Sequence, residues 1–474
     1  MLKEFILRED ISLSPAARGL LACMLCVHKG APASRKQIDE LAAGLHQSKP
    51  VTRRVLEEWQ QSGLIESVPR EGGGEDKSKI EYELTHKLLL KFAARAEGDV
   101  GATIEYVLDP ANPLLSIRPP TIQASPEGAA ATPEEMAAER KRTAKKGFRE
   151  AAGGITRLLL AVLLVHADSW GVVQGVGSAK LKRLTGLSSE QLKAQLFKLN
   201  HLGYILHKVQ GLSGSVLLGR REAIYSLNLH HPSLPGCEAA GSVVRLLVDA
   251  KSYGSEMTEA GCIMHCADEL RGGGFSFYPA QQAFLGVRGD CRHLARFFLY
   301  QSRLSGGVMV LPAALQMLLD GYASELLSRH WDRLSSEALF DDEDILLRAT
   351  EDFTPKAPEK PIELKWGGRF LYDVAFAMAC RVKRLLPDLD GYDLSSCDFR
   401  LLPLLIPTTF MGFRAILVRP KLNPGGGQFL TLRFNGGVLE RISSARLDEL
   451  DWRREMLLQE FHALKRFGYG DKSL

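Results

Sequence analysis

The feature that most constrains the fold is a repeated pattern of helix, tight turn, helix and hairpin. Residues 34–84 contain SRKQIDELAAGLHQSKPVTRRVLEEWQQSGLIESV and then a glycine-rich loop, and residues 178–229 contain SAKLKRLTGLSSEQLKAQLFKLNHLGYILHK in the same order. Gly63 and Gly203 occupy equivalent places, where a glycine ends the last helix before a strand. The chain is therefore expected to contain two copies of one small helical unit.

Composition limits the class of protein but does not define its function. The 474 residues suggest two to four domains, and 45% hydrophobic with 24% charged residues is ordinary globular composition. A formal charge of +4 is too small to indicate nucleic acid by itself. The start has no signal-peptide pattern, and the longest apolar run, residues 158–165, is far shorter than the ~20 residues that span a bilayer. A cytoplasmic protein without a membrane partner is expected.

The first copy contains three predicted helices. Ser14 followed by Pro15 predicts the start of the first helix, and Ser34 is expected to cap the second. Gly44 marks the tight turn that follows. A third helix is expected from about residue 48 to 61, with a proline tolerated in its first turn because the missing N–H would be unpaired there.

Two predicted strands, residues 65–68 and 80–84, complete this unit, and residues 13–86 resemble the winged-helix superfamily. The resemblance rests on the order of elements and on the segment EEWQQSGLIES. It implies that the third helix enters the major groove and that the wing touches the DNA backbone. Arginine can bond guanine O6 and N7, and threonine can contact a thymine methyl or a phosphate. The expected contacts are Lys49, Thr52, Arg53 and Arg54 on the helix, and Arg70, Lys77 and Lys79 on the wing. The alternatives are a solvated helix face or a winged helix that docks a protein.

The second copy is poorer in side chains that read bases. Ser178 is expected to cap its second helix, and Gly186 to form the turn. Counted from the shared glycine, Lys193 matches Arg53, whereas Leu192 and Ala194 replace Thr52 and Arg54. Its expected contacts with phosphate are Lys180, Lys182, Arg183, Lys193, Lys198, Arg220 and Arg221. The alternative is that this copy pairs with another protomer or with the first copy.

A basic cluster lies between the copies. Residues 96–150 are rich in Pro, Ala, Ser and charge, which predicts a linker that becomes helical near its end. The cluster comprises Arg140, Lys141, Arg142, Lys145 and Lys146, followed by Arg149. Such an arm would add salt-sensitive affinity for the DNA backbone, and the alternative is a solvated linker helix.

The remainder of the chain carries no recognisable family signature. Helical periodicity is present in residues 243–247, 280–304, 312–334, 366–386 and 448–467, and residues 410–418 and 429–434 are expected to be strands. The fold class expected is α+β, mainly helical. The predicted division is a winged-helix domain at 1–95, a linker with a basic helix at 96–150, a second winged-helix domain at 151–235, and an α+β regulatory or oligomerisation domain at 240–474.

Catalytic signatures are missing from the sequence. It contains no GxxxxGK[ST] loop, no HExxH and no GxSxG elbow. Cys262, His265 and Cys266 lack the further ligands that a zinc site needs, and the acidic run at 341–344 is more typical of a helix cap or a solvated loop than of a metal site. We therefore expect neither enzymatic activity nor a cofactor or metal.

The leading hypothesis is a sequence-specific, double-stranded DNA-binding transcription regulator, of the large multidomain build found on mobile genetic elements. The first alternative is a plasmid or phage-type replication initiator that binds origin repeats, because LSPAARGLLACML is similar to the start of the first unit in those proteins. The second is an interaction scaffold without a DNA role. The expected partner is double-stranded DNA, with a homo-oligomer, RNA polymerase or a replication protein left open.

Overall fold

The computed structural model shows a mainly helical α+β protein with small sheets. It describes residues 2–8, 13–29, 31, 33–69, 80–85, 100–112, 114, 152–215, 218–229, 231, 233–234, 242–249, 258–264, 310–335, 339–353, 361–386, 393–404, 411–421, 428–435 and 438–446. Two compact units are present: residues up to 206 with 227–238 in the first, and 207–226 with 239–451 in the second. Within these ranges, no helix combines the length and the apolar character needed to cross a membrane.

The first copy of the repeat begins after a short helix, α1 (Leu2–Leu7). Its elements are α2 (Pro15–His28), β1 (Ala33–Ser34), α3 (Arg35–Gly44), α4 (Lys49–Gln61), β2 (Ile65–Pro69) and β3 (Ile80–Leu84). The strands form an antiparallel sheet in the order β1-β3-β2. The three helices and the two hairpin strands match the prediction for this segment, whereas β1, between α2 and α3, was not predicted.

Local capping explains where these helices begin. The Ser14 hydroxyl accepts from the Ala17 N–H, and Ser34 forms a capping box with Gln37, as serine at these positions predicts. The turn predicted at Gly44 differs in detail. Gly44 is the last residue of α3, and His46 adopts the left-handed conformation with φ 57°.

The second copy has the same element order. It comprises α6 (Gly154–His166), β4 (Val172–Val173), α7 (Ser178–Thr185), α8 (Ser189–Leu202), β5 (Ile205–Val209) and β8 (Ile224–Leu227). Its sheet has the order β4-β8-β5, which corresponds to β1-β3-β2. Gly177, not Ser178, is the N-cap of α7, and Gly186 ends that helix with φ 72° as predicted. A further helix, α5 (Val100–Leu108), lies in the segment predicted to be a linker.

The two copies pack against each other through their first helices. Gly19 of α2 meets Gly154 at the start of α6, so closely that a Cβ built on Gly19 would lie 3.0 Å from the Gly154 carbonyl atoms. Arg18 is buried, and its Nη1 donates to the Arg183 carbonyl at 2.8 Å and to the Leu184 carbonyl near the end of α7. A guanidinium here complements the negative end of the helix dipole. The first helices of the two copies are therefore in direct contact, and the third helices α4 and α8 belong to the same compact unit.

The described part of the second unit contains a five-stranded sheet, two long helices and one shorter helix. The strands are β9 (Ser242–Asp249), β10 (Cys397–Leu404), β11 (Met411–Pro420), β12 (Gln428–Asn435) and β13 (Val438–Arg446), in the order β10-β11-β9-β12-β13. Only the β9–β12 pair among them is parallel. The helices are α9 (Val310–His330), α10 (Glu343–Asp352) and α11 (Pro361–Leu385), and a 3₁₀ turn, Leu394–Ser396, precedes β10. The hairpin of β6 (Leu212–Ser215) and β7 (Gly219–Arg221) also belongs to this unit.

Several predictions for this unit can be compared with its structure. The expectation that residues 243–247 are helical is wrong, because they form the central strand β9. The strands expected at 410–418 and 429–434 and the helices expected at 312–334 and 366–386 are found with shifted ends. In the acidic run, Asp342 is the N-cap of α10, which confirms the helix-cap interpretation. The helices expected at 280–304 and 448–467 lie outside the described residues.

Candidate nucleic-acid interface

The candidate reading helix of the first copy, α4, is fixed to α2 by buried contacts. The Trp59 indole N–H donates to the Ala17 carbonyl at 3.2 Å, and this side chain is fully buried. The Glu58 carboxylate accepts from the Ser14 hydroxyl at 2.6 Å and from the Ser14 N–H at 2.5 Å. Because one side of α4 is occupied by these contacts, the opposite side faces solvent.

The exposed side of α4 is basic near its N-terminus. Lys49, Arg53 and Arg54 are all exposed, and the Arg53 side chain is 79% accessible. Arg53 Nε donates to a Glu57 carboxylate oxygen at 3.2 Å, an exposed pair that a phosphate or a base edge can replace at small cost. Arg54 forms no ion pair with any residue in the described part of the chain. Two guanidinium groups and an ammonium group are thus available to an anionic or hydrogen-bonding partner.

Thr52 does not belong to this surface, so the prediction that it contacts DNA is wrong. Its side chain is 1% exposed, and its hydroxyl donates to the Ser48 carbonyl at 3.2 Å. The reason is helical spacing: residue 52 lies three and seven positions before Val55 and Trp59, which are both buried. The threonine faces the core, and the exposed face begins at residue 53.

The equivalent helix of the second copy, α8, matches α4 in sequence register. Leu64 N–H donates to the Trp59 carbonyl at 2.9 Å, and Tyr204 N–H donates to the Leu199 carbonyl at 3.0 Å. Leu64 and Trp59 each lie 140 positions before their counterparts Tyr204 and Leu199, the same offset as between Gly63 and Gly203. The hairpin ends agree as well, because Thr85 and Asn228 each donate a side-chain hydrogen bond to the glycine carbonyl. Lys193, Ala194 and Phe197 therefore correspond to Arg53, Arg54 and Glu57.

The outer face of α8 differs in chemistry from that of α4. Lys193 and Ala194 are exposed, and Phe197 is 74% exposed. The Phe197 ring stacks on His201 with 6.4 Å between centroids and 9° between planes. Sequence reasoning missed Phe197, although it lies outside the inner set of Leu192, Leu196, Leu199 and Leu202. An apolar ring four residues after Lys193 was the available signal.

The remaining basic residues of the second copy are distributed over two helices. Lys180 and Lys182 on α7 are half-buried, and Lys182 Nζ donates to the Ser189 hydroxyl at 3.2 Å. Arg183 is exposed and Lys198 is half-buried. The Lys182 bond joins the two helices across their turn, which gives this lysine a role within the fold.

The prediction that Arg221 contacts a phosphate is also wrong, because its guanidinium group is bonded within the second unit. Its Nη2 forms an ion pair with Asp352 at 2.8 Å and also donates to the Asp352 carbonyl at 3.0 Å. Its Nε donates to the Leu218 carbonyl at 2.9 Å. These bonds hold the β6–β7 hairpin within the second unit, where Leu212 and Leu218 are part of the hydrophobic core. Arg220 is exposed.

Eight other predicted contacts lie outside the described residues. They are Arg70, Lys77, Lys79, Arg140, Lys141, Arg142, Lys145 and Lys146. The candidate residues that the structure describes in the first unit are therefore those on the outer faces of α4 and α8, with Arg183 on α7, whereas Arg220 lies on β7 in the second unit. A search of protein-family models, curated proteins and solved structures finds no match to the chain.

Proposed function

We propose that the chain is a sequence-specific double-stranded DNA-binding protein that regulates transcription through two winged helices. The observation that supports it most is the exposed basic face of α4, with Lys49, Arg53 and Arg54, on a helix whose opposite face is buried. In a helix-turn-helix unit this face of the last helix enters the major groove. Arginine is the side chain that most often contacts guanine there.

The second copy supports the same proposal in a different way. It repeats the helix order, the sheet order and the bonds around the shared glycine, but it carries one exposed lysine where α4 has two arginines. Phosphate contacts position a protein without reading sequence. We therefore assign base reading chiefly to α4, and positioning to Lys193 and Arg183.

The test is duplex binding by the full chain with Arg53→Ala and Arg54→Ala combined. Removal of each bidentate bond to a base should weaken specific binding by about 1–3 kcal/mol, which is roughly 5- to 150-fold. The matched control is Arg333→Ala with Lys421→Ala, which also removes two exposed cations but from the second unit, outside both copies. If both double variants bind equally tightly, across a salt titration, to a duplex that the wild-type chain selects from a random library, α4 is not the reading helix.

A replication initiator is the second candidate, and the packing of α2 on α6 favours it. Two DNA-binding units held in one core allow a single chain to engage two adjacent sites, as iterated origin repeats would offer. Genome-wide immunoprecipitation separates the candidates. Enrichment at several promoters supports regulation, whereas a single peak over tandem repeats beside the gene for this chain supports initiation.

A further inference from the structure

Phe197 occupies a position where an exposed aromatic ring has no function in the core. The helix α8 buries Leu192, Leu196, Leu199 and Leu202, and Phe197 projects from its opposite side with 74% of its surface accessible. Single exposed apolar residues are common on proteins, so exposure alone carries no meaning. The position of Phe197 is informative, because this residue matches Glu57 of α4. Glu57 lies one turn beyond the residues that we assign to base reading.

The chemistry of this face points to thymine. Phenylalanine and alanine make apolar contact with the C5 methyl group of thymine in the major groove. Ala194 and Phe197 lie three residues apart on one side of α8, and both are exposed. Lys193 supplies a positive charge beside them. The carboxylate that α4 carries at Glu57 is absent from the matching place, so the ring can approach the groove without repulsion from phosphate.

The same face is too small and too polar for a protein partner. Stable protein interfaces bury about 800 Å² per partner, whereas one phenylalanine side chain supplies roughly 150–250 Å². The exposed neighbours of Phe197 on α8 include Lys193, Ala194 and Glu190, which extend no apolar surface of the required size. An apolar ring beside a lysine fits the major groove of DNA, which presents thymine methyl groups between phosphates.

We infer that the chain recognises a composite DNA site: α4 reads a guanine-containing half, and α8 places Phe197 against thymine methyl groups in the other half. This inference rests on the proposed function. Because the first helices of the two copies share one core at Gly19 and Gly154, the two halves occur at a fixed spacing. Insertion of five base pairs between them, about half a helical turn, places the second half on the opposite side of the duplex.

The experiment begins with selection from a random duplex library by the full chain. The wild-type protein is expected to enrich a two-part site, with thymine in one half and guanine in the other. Phe197→Ala should lose the thymine preference and keep the guanine preference. The matched control is Leu347→Ala, which removes an exposed apolar side chain from the second unit and should change neither half.

Replacement of thymine by deoxyuridine in the selected site removes only the methyl group. The wild-type chain is expected to bind about fourfold more weakly for each contacted methyl group that is removed, since one buried methyl group is worth ~0.8 kcal/mol. Phe197→Ala should bind the two duplexes equally. A thermal unfolding midpoint of Phe197→Ala equal to that of the wild type verifies that the variant is folded.

The outcomes separate this inference from the proposed function. If wild-type protein selects a site that needs Arg53 and Arg54 but Phe197→Ala alters neither preference nor the methyl effect, the composite site is overturned while DNA reading stands. If the wild-type chain selects no site, the proposed function fails and this inference falls with it. If Phe197→Ala converts a dimer to a monomer in sedimentation and leaves the selected site unchanged, the face serves self-association and the inference is overturned.

Discussion

Gly19 of α2 lies directly against Gly154 of α6, and a Cβ at position 19 would stand 3.0 Å from both the carbonyl carbon and the carbonyl oxygen of Gly154. This close approach joins the first helices of the two copies. It depends on the lack of a side chain at Gly19, because the opposing atoms are backbone and cannot move aside as a flexible side chain could. The two candidate DNA-reading helices are consequently parts of one packed body.

Gly19→Ala is therefore expected to loosen the contact between the copies. Overpacking typically costs about 1–3 kcal/mol. Gly321→Ala in α9 is the matched control, since a Cβ there meets nothing within 4 Å and gains the same helix propensity. Amide hydrogen exchange should accelerate in α2 and α6 for Gly19→Ala only. Equal exchange in the two variants would show that the contact contributes nothing to stability.

Arg18 supplies a second link between the copies, and its removal should be costly. Its guanidinium donates to the carbonyls of Arg183 and Leu184, and the whole side chain is 2% exposed. Hydrogen bonds to a charged group contribute about 1.5–3 kcal/mol each. In the variant, the carbonyls of Arg183 and Leu184 would lose this donor. Arg18→Met should lower the urea midpoint accordingly. Lys36→Met removes an exposed cation from α3 and should change stability by less than ~0.5 kcal/mol. Matching midpoints for the two variants would contradict this role.

His231 should make the first unit sensitive to acid. It is buried against Tyr204 with ring centroids 3.9 Å apart, and burial lowers its pKa to about 4 although a hydrogen bond to the Leu202 carbonyl opposes the shift. In the unfolded chain this histidine takes up its proton near pH 6.5, well above its pKa in the folded protein. The free energy of unfolding is therefore highest above pH 6.5. It declines as the pH falls towards 4, by about 1.4 kcal/mol per pH unit and roughly 3 kcal/mol in total.

His231→Gln removes this titration and isolates its effect. The difference in unfolding free energy between wild type and variant should change by roughly 3 kcal/mol between pH 6.5 and pH 4. Urea titrations at pH 4.0, 5.0, 6.5 and 7.5 measure it. A difference that stays constant over this range would mean that the histidine titrates alike in the folded and unfolded states.

The repeat and its helices were predictable because their signals are local. Serine caps at Ser14 and Ser34, and the glycine stop at Gly186, act through bonds and dihedral angles within a few residues. The face of Thr52 was also encoded locally: its spacing to Val55 and Trp59 gives the inward orientation, and the prediction overlooked it. Phe197 was readable in the same way, once the two copies are aligned on their shared glycine.

Other features depend on contacts that are distant in sequence. The apolar run at 243–247 is compatible with either a helix or a buried strand, and β9 becomes a strand because it pairs with β11 and β12 on its two edges. The partner of Arg221 lies 131 residues further along the chain, so no local pattern indicated it. A hairpin after a helix-turn-helix suggested a wing, whereas the β6–β7 hairpin packs into the core of the second unit.

The ion pair between Arg221 and Asp352 distinguishes a structural arginine from its exposed neighbour Arg220. Arg221→Ala should destabilise the second unit, because Asp352 loses a bond at 2.8 Å and the Leu218 carbonyl loses its donor. A double-mutant cycle with Asp352→Asn is expected to give a coupling energy of about 1 kcal/mol. Duplex binding should keep its salt dependence in Arg221→Ala. In Arg220→Ala the stability should be unchanged, while the salt slope of duplex binding should fall by about 1, because this exposed cation is expected to contact a phosphate. The reverse pattern, with a reduced slope in Arg221→Ala and reduced stability in Arg220→Ala, would restore Arg221 to the DNA interface.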